Sequence, residues 1–117
     1  MKKILIAEDD QFLANAYRIK FEKANLEVRV CSDGEEALEV IKTFAPDLIL
    51  LDLMMPKVDG FAVLENIKSN ENTKNIKVIV ASNLGQNEDV EKAKNLGADG
   101  YVVKSDMSIS DILKLVE

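Results

Sequence analysis

At 117 residues the chain is long enough for one compact domain with its own core and too short for two of ordinary size. A composition of 47% hydrophobic and 31% charged residues is that of a folded globular protein and excludes a disordered acidic chain. The net charge of -6 excludes a broad nucleic-acid footprint, which needs clustered Lys and Arg to displace counterions, so no direct contact with nucleic acid is expected.

The opening, Met1-Lys2-Lys3-Ile4-Leu5-Ile6-Ala7-Glu8, turns acidic too soon for a signal peptide, and no apolar run approaches a membrane span. A cytoplasmic protein without membrane contact is expected. From Ile4 onward, short runs rich in Ile, Val and Leu alternate five times with longer segments of helical period, the pattern of a parallel α/β sheet. The first run is Ile4 to Ala7. Phe12, Leu13, Ala16, Tyr17 and Phe21 follow near one helical face and read as core. The second run, Glu27 to Val30, leads to Cys31, a lone cysteine that reads as a buried strand-end residue. Ser32-Asp33-Gly34-Glu35 then reads as a turn with an N-terminal cap, ahead of a helix marked by Ala37, Leu38 and Ile41.

Leu48 to Leu51 is apolar on both pleat faces, as is Ile4 to Ala7, which strands covered by helices on both sides require. Phe61, Leu64 and Ile67 mark the third helix, and Ser69 to Asn75 the longest loop. The fourth run is Lys77 to Ala81. Val90, Ala93 and Leu96 mark the helix after it, with Gly97 placed for a left-handed C-terminal residue. Tyr101 to Val103 is the last strand; Ile109, Ile112, Leu113 and Val116 mark a helix opened by a capping box at Ser108 and Asp111.

In an open parallel α/β sheet, ligands bind beyond the carboxyl ends of the strands where strand order reverses. Glu8, Asp9 and Asp10 follow the first strand, Asp52 the third, Ser82 the fourth and Lys104 the fifth; the second offers only Cys31 and Ser32, as an edge strand would. Taken alone, the acidic run reads as a helix cap, Asp52 as a turn residue, Ser82 and Lys104 as solvated loop residues, and Tyr101 as half-buried core. Their joint placement is what points to a site. With the first and third strands adjacent, Glu8, Asp9 and Asp52 converge, and two unit charges about 4 Å apart repel by roughly 4 kcal/mol at an effective dielectric of 20. Such a cluster must protonate or recruit a cation, and Mg2+ fits a site with few carboxylates and room for water or phosphate oxygens. The absence of His removes the commonest general base and any imidazole zinc site, leaving carboxylates, Lys, Ser and backbone. A metal-bound Asp52 beside a Lys and a hydroxyl can accept a phosphoryl group, with Lys104 as second cation and Ser82 as the donor that moves on its arrival.

At these residues the chain resembles the receiver domains of bacterial two-component response regulators, over its whole length and in the manner of single-domain, chemotaxis-type regulators. The residues carrying the resemblance are Ile4-Leu5-Ile6-Ala7-Glu8-Asp9-Asp10, Pro46 to Pro56 around Asp52, Asp59-Gly60, and Gly97-Ala98-Asp99-Gly100-Tyr101-Val102-Val103-Lys104. The resemblance implies one receiver domain over residues 1–117, a flavodoxin-like doubly wound fold with a five-stranded parallel sheet in order 2-1-3-4-5 and five helices. It further implies Asp52 as phosphoacceptor, Asp9, Asp52 and the Met54 carbonyl as Mg2+ ligands, Glu8 acting through water, and Ser82 and Tyr101 as switch residues. The implied phosphodonor is a sensor histidine kinase or histidine phosphotransfer protein. The implied output is a downstream protein target or a homodimer through the fourth helix, fifth strand and fifth helix. Such a domain is a switch rather than an enzyme, assisting only its own phosphorylation and hydrolysis.

Two residues depart from the family pattern. Ser105 stands where Pro commonly follows the Lys with a cis bond; a non-proline cis bond costs about 3 kcal/mol, so a trans bond is expected. Asn83 stands where a small residue commonly follows the Ser or Thr, and bears on access to the phosphoryl site. A receiver-like scaffold without phosphorylation is the rival reading. An aspartate-based phosphatase would want an acid two residues after the nucleophile, where Met54 stands, and a flavin module would want a phosphate loop free of acid.

Overall fold

The computed structural model describes residues 1–83 and 86–117. Five strands, β1 (Lys3–Ala7), β2 (Glu27–Cys31), β3 (Leu48–Leu51), β4 (Lys77–Ser82) and β5 (Gly100–Val103), form one parallel sheet in the order β2-β1-β3-β4-β5. Five helices connect and follow them: α1 (Gln11–Lys23), α2 (Gly34–Phe44), α3 (Gly60–Ser69), α4 (Asn87–Asn95) and α5 (Ile109–Val116). The flavodoxin-like order expected of the sequence is the one observed.

The two-residue period of a strand splits the apolar runs between two cores. Leu5, Ala7, Ile49, Leu51, Val78 and Val80 face Ala37, Ile41 and Phe44 of α2, Val63, Leu64 and Ile67 of α3, and Ala93 of α4. Ile4, Ile6, Leu48, Leu50, Ile79, Ala81 and Val102 face Tyr17 and Phe21 of α1 and Ile112 and Val116 of α5. Each such aliphatic side chain taken fully out of water contributes about 1.5–3 kcal/mol, which is why β1 and β3, covered on both faces, carry no polar residue after Lys3.

Helix boundaries follow the side-chain caps. Asp10 accepts from the Phe12 and Leu13 N–H groups, Asp33 from Glu36 and Asp59 from Ala62, while Ser108 and Asp111 form the reciprocal capping box. Gly97 closes the turn after α4 at φ 101°, where a side chain would be strained. Cys31 is buried as the last residue of β2, and burial pushes its thiol up to about 12, with the Glu36 and Asp33 charges adding to the effect. The Lys104–Ser105 peptide is trans, inside a single 3-10 turn, Lys104–Asp106.

Two expectations are corrected. Ser69 is the last residue of α3, and the connection 52–59 between β3 and α3 is longer than the one at 70–76 that was expected to be the longest loop. Phe12 is not core: it is 91% exposed, while Ala14, Tyr17 and Phe21 form the buried stripe of α1. Phe12 stands five residues before Tyr17, so on a helix of 3.6 residues per turn it lies about 140° from that buried residue.

Candidate functional site

Register places the acidic residues. Ala7 of β1 pairs with Cys31 of β2 on one side and Leu51 of β3 on the other, so the next residues leave the sheet side by side. The Asp52 N–H donates to the Ala7 carbonyl (3.0 Å) and the Glu8 N–H to the Cys31 carbonyl (3.0 Å), extending the ladder by one step into the mouth. Here the chain turns to β2 in one direction and β3 in the other, which opens a crevice at the carboxyl ends of the strands.

A cleft of about 370 Å³ lies there, lined by Glu8, Asp9, Asp10, Asp52 and Lys104, with Leu13, Met54 and Asn83 completing its walls. Glu8 and Asp52 are buried, 3% and 6% exposed, whereas Asp9 faces solvent. One oxygen from each of the three carboxylates lies within 4.8 Å of the others. Lys104 Nζ reaches across from the end of β5, donating to Glu8 Oε1 and, at 3.1 Å, to Asp52 Oδ2. The other Asp52 oxygen, Oδ1, accepts the Met54 N–H at 3.1 Å, and Glu8 Oε2 accepts the Asp10 N–H at 3.2 Å.

The charged groups of this cleft act on one another. The Glu8 carboxyl is raised from 4.5 to about 7, first by burial, with the Lys104 ammonium opposing the rise and the Asp52 neighbour adding to it. Burial pulls the Lys104 ammonium down, but its bonds to Glu8 and the charge of Asp52 outweigh that and hold it above the usual lysine range. Three hard carboxylate oxygens held this close are a donor set suited to a divalent cation, so Glu8, Asp9 and Asp52 could hold a metal ion.

Ser82 and Tyr101 are not among the described residues lining the cleft. Ser82 is fully buried as the last residue of β4, and a side-chain hydrogen bond links it to the phenol of half-buried Tyr101 on β5. Burial raises the Tyr101 phenol, the Ser82 bond counteracts this, and Asp89 of α4 and Asp52 raise it further. Charges of the cleft and of α4 thus both bear on the Tyr101 phenol.

The sequence anticipated the convergence of Glu8, Asp9 and Asp52 but did not assign Lys104 to Glu8 as well as Asp52. A contact spanning 96 positions leaves no local signal. It also read Tyr17 as core alone; its phenol is raised first by burial, while Lys104, Glu8 and Asp52 are near enough to act on it.

Comparison with known proteins agrees with this geometry. The chain matches the response regulator receiver domain family over residues 4–117. It is 38% identical, over 104 residues, to the DNA-binding dual master transcriptional regulator RpaA of Synechocystis, covering 89% of this chain and 43% of that protein. Several other curated relatives are likewise matched over about two fifths of their length. Among solved structures, the Francisella response regulator 1452 receiver domain superposes with a TM-score of 0.91 at 34% identity, over 99% of this chain and 93% of that one. The Mn(2+)-bound form of response regulator Rcp1 superposes with a TM-score of 0.83 at 31% identity, over 99% and 89%. Sequence, topology and the acidic cleft thus agree that the chain belongs to the response regulator receiver domains of two-component signalling.

Proposed function

We propose that residues 1–117 form a phosphorylation-activated switch in which Asp52 accepts a phosphoryl group with the help of Mg2+. The observation that carries this reading is the convergence of Glu8, Asp9 and Asp52 with Lys104 at the reversal of strand order. Asp9, Asp52 and the Met54 carbonyl would hold the ion, with Glu8 acting through a bound water. That the similar response regulator Rcp1 has a Mn(2+)-bound form supports a divalent cation for this chain.

The phosphodonor is a phosphohistidine on a sensor histidine kinase or histidine phosphotransfer protein. An Asp52 carboxylate oxygen attacks phosphorus in line, the O–P bond forming as the N–P bond to the imidazole breaks. When bound, Mg2+ neutralises charge on the transferring oxygens. Lys104 leaves its present bond to Asp52 Oδ2 and pairs with a phosphoryl oxygen. Ser82 turns its hydroxyl from Tyr101 to another of those oxygens, and Tyr101 moves into the space released. The change biases a two-state equilibrium on the face formed by α4, β5 and α5, which then engages a downstream protein target or a second copy of the chain. The domain regulates and turns over no free substrate, in keeping with a cytoplasmic signalling role.

Beryllofluoride with Mg2+ tests the reading, because it occupies the phosphoryl position without covalent turnover. Amide resonances should shift at Asp52, Ser82 and Lys104 and along α4, β5 and α5, and Asp52→Asn should abolish the shifts. Shifts that persist in Asp52→Asn, or none in the wild type, contradict it.

A further inference from the structure

The loop between β3 and α3 carries Met54, and it is seated on another element. Gly34, the first residue of α2, has no left-handed backbone to explain it; space does. An ideal Cβ on Gly34 would stand 1.8 Å from the Val58 carbonyl oxygen, 2.7 Å from its carbon and 2.8 Å from the Val58 Cβ. These are mostly backbone atoms, so a side chain there displaces the loop rather than a flexible neighbour. The Gly34 N–H donates to the Pro56 carbonyl (3.4 Å), and Lys57 Nζ lies 3.6 Å from Asp33 Oδ2 beside it.

The loop itself is held in a demanding shape. Lys57 adopts φ 69°, a left-handed conformation that L side chains occupy only when neighbours fix it. At its far end the Gly60 N–H donates to the Leu53 carbonyl (3.0 Å). Between these anchors, Met54 lies two residues from Pro56 and donates its own N–H to Asp52.

We infer that Gly34 is a positioning residue for the cation site: the bare backbone at the start of α2 seats the Met54–Val58 segment, and so sets where the Met54 carbonyl points. This rests on the reading that this carbonyl is a cation ligand. Gly34 is not among the described residues that line the cleft and acts through the loop. A support of this kind is worth about 10- to 100-fold in metal affinity when lost.

The test is a Mg2+ titration followed by the amide resonances, on wild type, Gly34→Ala and Gly100→Ala. Gly100 is the control because a Cβ there meets Ile79 at 3.5 Å, an ordinary contact. Gly34→Ala should weaken Mg2+ binding about tenfold or more while its metal-free spectrum keeps the wild-type pattern outside the loop and the start of α2, and Gly100→Ala should bind as wild type does. Wild-type Mg2+ affinity in a folded Gly34→Ala overturns the inference and leaves the phosphorylation reading standing, whereas a wild type that binds no Mg2+ overturns both. Should Gly34→Ala fail to fold, the wild-type titration decides. The Gly34 amide, although no ligand, should move with the same midpoint as Met54, and a stationary Gly34 amide overturns the inference.

Discussion

Lys104 Nζ lies 3.1 Å from Asp52 Oδ2 and bonds Glu8 as well, so a single ammonium at the end of β5 offsets carboxylates that leave β1 and β3. In this arrangement Lys104 and a divalent cation draw on the same negative charge. Removing Lys104 should therefore have two opposite effects. Lys104→Met should raise Mg2+ affinity about tenfold, well inside the roughly 4 kcal/mol available to charges about 4 Å apart at an effective dielectric of 20. It should also slow phosphoryl transfer to Asp52 about a hundredfold, through loss of a charge-assisted contact to the transferring group. Calorimetric Mg2+ titration and the rate of adduct formation check the two halves, and a joint fall in both contradicts the sharing of charge.

Ser82 offers a cleaner perturbation, because it is buried and small, so its replacement opens little space. Ser82→Ala should still take the phosphoryl group, about tenfold more slowly, the worth of one hydrogen bond to a charged group. It should also raise the Tyr101 phenol further, since the Ser82 bond now counteracts the effect of burial. The resonance shifts of α4 and α5 on beryllofluoride addition should shrink in this variant. Shifts of wild-type size would remove Ser82 and Tyr101 from the switch.

Cys31 gives a pH dependence whose sign is set by burial. Its thiol is raised from 9.0 to about 12, so between those values the folded state binds a proton that the unfolded state has lost. The stabilisation is complete below pH 9 and is lost as pH rises toward 12. At pH 8 the folded protein should alkylate with iodoacetamide more than about a hundredfold slower than the urea-unfolded chain, having both less thiolate and less access. Equal rates would contradict the buried placement at the end of β2.

Phe12 and Leu64 show what the sequence could and could not reveal. Both fit an apolar helical stripe, yet Leu64 is fully buried on α3 and Phe12 is 91% exposed. Leu64→Ala should cost about 2–5 kcal/mol in urea unfolding and Phe12→Ala within about 0.5 kcal/mol. A large loss from Phe12→Ala would contradict its exposed placement on α1.

The strands were legible because β1 and β3 must be apolar on both faces, and the caps because Asp10, Asp33 and Ser108 stand directly before helical periods. The acidic cluster was legible once β1 and β3 were taken as neighbours. Phe12 was misread because five apolar residues grouped as one stripe hide that Phe12 lies about 140° around the helix from Tyr17, off the face that Ala14, Tyr17 and Phe21 bury. The Glu8–Lys104 bond and the Gly34 seat join positions far apart in the chain. Only the folded arrangement brings them together, and Gly34 in particular reads locally as an ordinary turn glycine.

Intact-protein mass after incubation with acetyl phosphate tests the central claim most directly. With Mg2+ the wild type should gain one phosphoryl group, and Asp52→Asn or a chelator should each prevent the gain. An unmodified wild type, or an adduct that survives the loss of Asp52, would contradict Asp52 as a Mg2+-dependent phosphoacceptor.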